Sequence, residues 1–261
     1  DNQPIFDESL YSVQILENAT VATSVLQVFA TDRDSGENGH ITYQIDRQRS
    51  DPQHNFGINQ NSGLVFVNKE LDYESQKAYE LIVVARDNGT QQLQTTAIVS
   101  VEVGNINDNP PEINMIFVTD DGTSNVPETA EPGSYVARVS VSDPDQEDDE
   151  EADLAVTVRL DGGDGFFGLE ERDNGVYLVL LEAALDREMK STYTMTVIAQ
   201  DSGNPPLQTQ KTFTINIADT NDNSPVFEQS VYYADIQEVV PPGSSVIQMS
   251  ALDEDDGNNS L

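Results

Sequence analysis

The side chains here that could do chemistry are oxygen donors, and they recur in fixed groups. The densest is Asn105-Ile106-Asn107-Asp108-Asn109-Pro110. It returns as Asp219-Thr220-Asn221-Asp222-Asn223, with Pro225 close behind, and its last part opens the chain as Asp1-Asn2-Gln3-Pro4. Asn and Asp compete with the backbone for hydrogen bonds, and Pro ends whatever precedes it, so these runs are poor helices and poor strands. What they offer is hard oxygen ligands, which suit a hard divalent cation.

Other acidic landmarks keep step with these runs. Aligned on Asp-Asn-x-Pro, three units begin at Asp1, Asp108 and Asp222, spaced 107 and 114 residues apart. Each has a Glu after its first expected strand: Glu17, Glu128 and Glu238. Each then has an Asp-x-Asp pair: Asp32/Asp34, Asp143/Asp145 and Asp253/Asp255. Leu71-Asp72-Tyr73-Glu74 and Leu185-Asp186-Arg187-Glu188 follow, and Asp87 and Asp201 close a long strand. From the first unit to the second, the Glu and the Asp-x-Asp move by 111 residues and the later landmarks by 114. Four residues are therefore added near 116–125, and three between the Asp-x-Asp and Leu185, places that suit loops or strand ends.

These groups need a scaffold, and the stretches between them supply one. Tyr11, Val13 and Ile15 alternate with polar residues, as do Ile41, Tyr43 and Ile45. Tyr79, Leu81, Val83 and Ala85 share one strand face, repeated by Tyr193, Met195, Val197 and Ala199. A last strand carries Ala97, Val99, Val101 and Val103, matched by Phe213, Ile215 and Ile217. Leu64 to Val67 reads as a core strand. Asn38-Gly39, Asn61-Ser62-Gly63, Asn88-Gly89 and Asn174-Gly175 are turn signals. About seven short strands in roughly 110 residues predict an all-β, seven-stranded Greek-key sandwich in each unit.

Composition narrows the partners. The chain has 261 residues and a formal charge of -35, from 47 acidic against 12 basic side chains. That excludes nucleic acid and anionic lipid as natural partners. Such a chain repels itself unless cations neutralise it. Cysteine is absent, so neither disulfides nor thiol chemistry contribute. The chain starts and stops inside motifs, which reads as a piece of something longer. It has neither a signal peptide nor an apolar run of spanning length.

Five motifs in this order, covering the whole chain, resemble the extracellular repeats of cadherins, which are immunoglobulin-like sandwiches stacked end to end. The resemblance implies repeats at 1–104 (with the tail of a preceding linker at 1–4) and 110–218, linkers at 105–109 and 219–223, and the first part of a third repeat at 224–261. It implies about three Ca²⁺ per complete junction. The first ion would take Glu17, Asp72, Glu74 and Asp108. The second would take Glu17, Glu74, Asn105, the Ile106 carbonyl, Asp108 and Asp145. The third would take Asn107, the Asn109 carbonyl, Asp143, Asp145 and Asp201. The next junction would use Glu128, Asp186, Glu188, Asp219, Thr220, Asn221, Asp222, Asn223, Asp253 and Asp255, with Asn259 in its following loop. Asp1, Asn2, Asp32, Asp34, Asn38 and Asp87 would serve a junction that begins before Asp1. Like charges this close repel and raise each other's pKa without metal. Asn105 stands where the next junction has Asp219, so the first junction is expected to hold its middle ion more weakly. The second unit lacks the Gly-x-Asn-Gly of residues 36–39 and has an acidic run at 146–151 instead.

Within the family, Pro111 to Val118 and Gly163 to Phe167 look like giant cadherins of the Dachsous type, with protocadherins sharing the style. That implies an ectodomain of a membrane-anchored protein, calcium-dependent cell–cell adhesion, and a partner cadherin on the adjoining cell. The partner would be either the same protein or a Fat-type cadherin, in planar polarity. With no Trp, adhesion by exchanging a Trp-bearing strand is not open to this stretch. Two other readings compete: non-adhesive spacer repeats, and a metal-dependent carbohydrate-active enzyme using Asp-x-Asp or paired carboxylates. Three-fold recurrence at repeat spacing argues against one active site, and His40 and His54 lack a nucleophile partner. Asn18, Asn88 and Asn258 fit the N-glycosylation pattern.

Overall fold

Alternation of apolar and polar residues decides the architecture, because successive strand side chains point to opposite faces. The computed structural model describes residues 2–146, 155–173 and 175–257, and the chain divides into two compact units, 1–108 and 109–261.

In the first unit the strands are β1 (Ile5–Phe6), β2 (Leu10–Leu16), β3 (Ser24–Gln27), β4 (Ala30–Thr31), β5 (Ile41–Ile45), β6 (Phe56–Ile58), β7 (Leu64–Val67), β8 (Ala78–Asp87) and β9 (Gln94–Gly104). One sheet runs β2-β9-β8-β5 and the facing one β3-β7-β6, with β1 and β4 as a short pair. β2 lies parallel to β9, Leu16 opposite Gly104, so both finish at the same end. The other pairings in this unit are antiparallel. Leu81, Val83, Ala85, Val99 and Val101 are fully buried with Val65 and Val67 of the facing sheet. Phe56 meets Tyr79 edge-on, ring centroids 5.0 Å apart.

The second unit repeats the plan with β10 (Glu112–Phe117), β11 (Asn125–Pro127), β12 (Tyr135–Ser142), β13 (Thr157–Gly162), β14 (Phe167–Asp173), β15 (Val176–Leu181), β16 (Thr192–Gln200) and β17 (Gln208–Ala218). The sheets run β10-β12-β15-β14 and β11-β17-β16-β13, with β11 parallel to β17. Tyr193, Met195, Val197, Ala199 and Ile215 form its core with Val179 and Leu181. The extra residues near 116–125 make a turn between β10 and β11, closed by Asp121 on the Thr123 and Thr119 hydroxyls.

The segment after 223 departs from expectation. Among its described residues, only β18 (Val226–Phe227) and β19 (Ala251–Leu252) form, as an antiparallel pair. No strand precedes Glu238, which is exposed, as are Val231, Tyr233 and Ile236. In both sandwiches the strand before the landmark Glu is held by the unit's last strand. Residues 231–237 have no such partner among the described residues, so the strand expected before Glu238 does not form.

Candidate metal centre

Glu17 follows β2 directly and is 5% exposed. A buried carboxylate must be hydrogen-bonded or neutralised. Its Oε2 accepts the Tyr73 N–H at 2.7 Å, and its Oε1 accepts the Ile106 N–H at 2.9 Å. Glu128 follows β11, is 6% exposed, and repeats both bonds with the Arg187 N–H at 3.0 Å and the Thr220 N–H at 2.6 Å. In each unit one carboxylate therefore pins both the Leu-Asp-x-Glu turn and the linker to the same end of the sandwich.

Carboxylates gather around that pin. Oxygens of Glu17, Asp72 and Glu74 lie within 4.8 Å of one another. In the second unit Glu128, Glu188 and Asp222 form one such group, and Glu188, Asp219 and Asp255 form another. Loss of solvent, then the charges of Glu128 and Asp255, push the Asp222 carboxyl up, as like-charge crowding requires. Asp72 corrects the expectation that every member would rise. The Ser75 hydroxyl and N–H donate to it and hold it below the usual carboxylate range. Asp186, its counterpart, accepts the Met189 N–H at 2.8 Å and belongs to none of these groups.

The Asp-x-Asp pairs share one design. The Asp34, Asp145 and Asp255 N–H groups donate to Asp32, Asp143 and Asp253, at 2.9, 3.0 and 3.1 Å. The second Asp of each pair is then clamped by the Asn of Asp-Asn-x-Pro. The Asn2, Asn109 and Asn223 side-chain amides donate to Asp34, Asp145 and Asp255 at 2.6, 2.9 and 2.9 Å. Their backbone N–H groups bond the same carboxylates. Asp87 and Asp201, both buried, accept N–H groups from the loops that follow them: Gly89 and Leu93, and Gly203 and Leu207. Desolvation first, with the charges of Asp145 and Asp201, raises Asp143. Asp32 Oδ2 and Asp143 Oδ2 are buried and take no hydrogen bond among the described residues. An orphaned anionic oxygen beside further carboxylates fits a hard cation.

The remaining expected residues sit nearby. Asn105, Ile106 and Asn107 are half-buried, while Asp108 and Asn221 are exposed. Asn38 lies in a short 3-10 turn, Gly36–Gly39, beside Asp87, because the Asn88 N–H donates to the Glu37 carbonyl at 3.2 Å. Asp1, Asn258, Asn259, the Asn174 turn position and residues 147–151 of the acidic run lie outside the described residues. Asn18 is exposed, and the Asn88 amide nitrogen lies 2.6 Å from His40 Nδ1. Sequence reasoning missed the Asn clamps and Arg187. The clamps had a signal, since Asn2, Asn109 and Asn223 hold one place in three motifs.

Comparisons with known proteins place the two sandwiches in a family. The family model described as "Cadherin domain" matches residues 11–104 and 123–218. The chain is 50% identical to Protein dachsous of Drosophila melanogaster over 260 residues, covering 100% of this chain and 7% of that protein. It is 41% identical to Protocadherin-16 of Homo sapiens over 261 residues, covering 99% of this chain and 8% of that protein. Both relatives are therefore far longer than this chain. A solved structure titled "Crystal structure of the Protocadherin GammaB4 extracellular domain" superposes with a TM-score of 0.79 at 35% identity, covering 100% of this chain and 39% of that one. With two matched domains and the same β-sandwich plan, the chain belongs to the cadherin family.

Proposed function

We propose that this chain is part of the extracellular region of a membrane-anchored, calcium-dependent cell–cell adhesion protein. The observation that carries the reading is the pair of carboxylate groups sharing Glu188: Glu128, Glu188, Asp222 and Glu188, Asp219, Asp255. They draw on the end of β11, the Leu-Asp-x-Glu turn, the 219–223 linker and the segment beyond it. When bound, Ca²⁺ would neutralise these carboxylates and join the four pieces through shared oxygens. The chain does the rest. Glu128 fixes the linker backbone, the Asn clamps orient the second Asp of each pair, and the sandwich core, through Val126 and Leu185, holds Glu128 and the Leu-Asp-x-Glu turn in place. Asp32 and Asp143, each with a free buried oxygen, would ligate in the same way beside Asp87 and Asp201.

Limited proteolysis tests the metal reading. The 219–223 linker is expected to resist cleavage in millimolar calcium and to be cut rapidly in EGTA. Equal cleavage in both sinks it.

Family membership and the three-fold recurrence of the acidic motifs support a non-enzymatic role. The Dachsous-type resemblance supports heterophilic binding to a Fat-type cadherin on the adjoining cell, in planar polarity, with a second copy of the same protein as the other candidate partner. Beads coated with the chain, mixed with beads bearing either partner, are expected to aggregate only in calcium. Dispersed beads in every mixture would leave these repeats as spacers.

A further inference from the structure

Arg187 stands inside the second carboxylate group, between Asp186 and Glu188. Its side chain is 16% exposed, and its Nε pairs with Asp219 Oδ1 at 2.5 Å. Its Nη2 donates to Glu188 Oε1 at 2.5 Å and to the Glu254 carbonyl at 2.9 Å. The other oxygen of Asp219 accepts the Asp256 N–H at 3.1 Å, so both its oxygens are committed.

We propose that Arg187 is a resident counter-ion of this group: it holds Asp219 and Glu188 together when calcium is scarce, and must release them for calcium to bind. The inference rests on the calcium reading above. A guanidinium and a divalent cation seek the same carboxylate oxygens, so the Asp219 ion pair and the Glu188 hydrogen bond are the two Arg187 contacts that a metal must displace. The first unit supports this by contrast. Tyr73 occupies the place of Arg187, and Asn105 that of Asp219. The two differences are opposite in charge and meet in space in the second unit, so they offset one another. Counting Asp219 alone makes the first junction the weaker one, but pairing with Arg187 removes that advantage. The second group gains cohesion without metal instead of affinity for it.

The test is residue-resolved amide exchange on the full chain, from EGTA to millimolar calcium. The Thr220 amide reads the second group and the Ile106 amide the first, within one sample. Arg187→Tyr is expected to shift the Thr220 calcium midpoint roughly three- to tenfold lower, with faster Thr220 exchange in EGTA and Ile106 unmoved. Adding Asp219→Asn is expected to return the midpoint towards the parent value, since the two residues act as a coupled pair. An Arg187→Tyr midpoint that stays put or rises overturns the inference while leaving the calcium reading intact. A parent chain with no calcium-dependent protection at either amide overturns the calcium reading, and the inference with it.

Discussion

The Glu128 carboxylate accepts the Thr220 N–H at 2.6 Å across 92 residues of chain. Glu17 accepts the Ile106 N–H in the same manner across 89 residues. The linkers are thus anchored by hydrogen bonds from the protein itself, before any cation is considered. The anchor is buried, and cutting it leaves two donors without an acceptor.

Glu17→Ala is therefore expected to destabilise the first sandwich by about 2 kcal/mol, the usual cost of stranding buried donors. Thermal unfolding in EGTA checks this, because calcium is then unable to mask the loss. An unchanged melting temperature would mean that Tyr73 and Ile106 find water instead.

The cores supply a contrast between two large apolar side chains. Leu81 is 0% exposed and Met189 is 82% exposed. Leu81→Ala is expected to cost about 2–5 kcal/mol through lost burial and a residual cavity. Met189→Ala is expected to stay within about 0.5 kcal/mol of the parent. Denaturant midpoints measure both.

Asn223 orients a carboxylate of the second group. Its amide and backbone N–H groups both bond Asp255. Asn223→Ala retains the backbone bond and loses the side-chain one. Calcium affinity at the second group is expected to fall several-fold with the fold intact, read by calorimetric titration alongside far-ultraviolet circular dichroism.

How far the sequence disclosed this depends on the kind of force involved. Period-two burial is local, so Tyr79, Leu81, Val83 and Ala85, and their counterparts in β16, could be placed on one face directly. The strand expected before Glu238 does not form, because residues 231–237 find no last strand to pair with among the described residues. Carboxylates that recur at repeat spacing pointed to the groups that the folded chain gathers around Glu17 and Glu128. What each carboxylate bonds was not legible. Glu17 meets backbone N–H groups that every residue possesses, and Asp72 is held down by Ser75, a neighbour with no motif of its own. Arg187 has no role legible in the sequence, because its pairing with Asp219 spans 32 residues and only the folded chain brings them together.

The turn between β10 and β11 makes a pH prediction away from the metal groups. The Thr123 hydroxyl and N–H, with the Thr119 hydroxyl, hold the Asp121 carboxyl below the usual carboxylate range. A group depressed on folding adds stability that is full above its unfolded pKa and is lost as pH falls through its folded pKa. Asp121→Asn is expected to remove that acid-side dependence. Carboxyl carbon shifts followed by NMR should show Asp121 still ionised when free aspartate is half-protonated, and a midpoint at or above the free value contradicts this.

Crystals grown in calcium and measured for anomalous scattering test the central claim most directly. The account predicts calcium peaks about 2.3–2.6 Å from carboxylate oxygens of Glu128, Glu188, Asp219, Asp222 and Asp255. Density at those positions with no anomalous signal, and Arg187 still seated on Asp219 and Glu188 in saturating calcium, would contradict it.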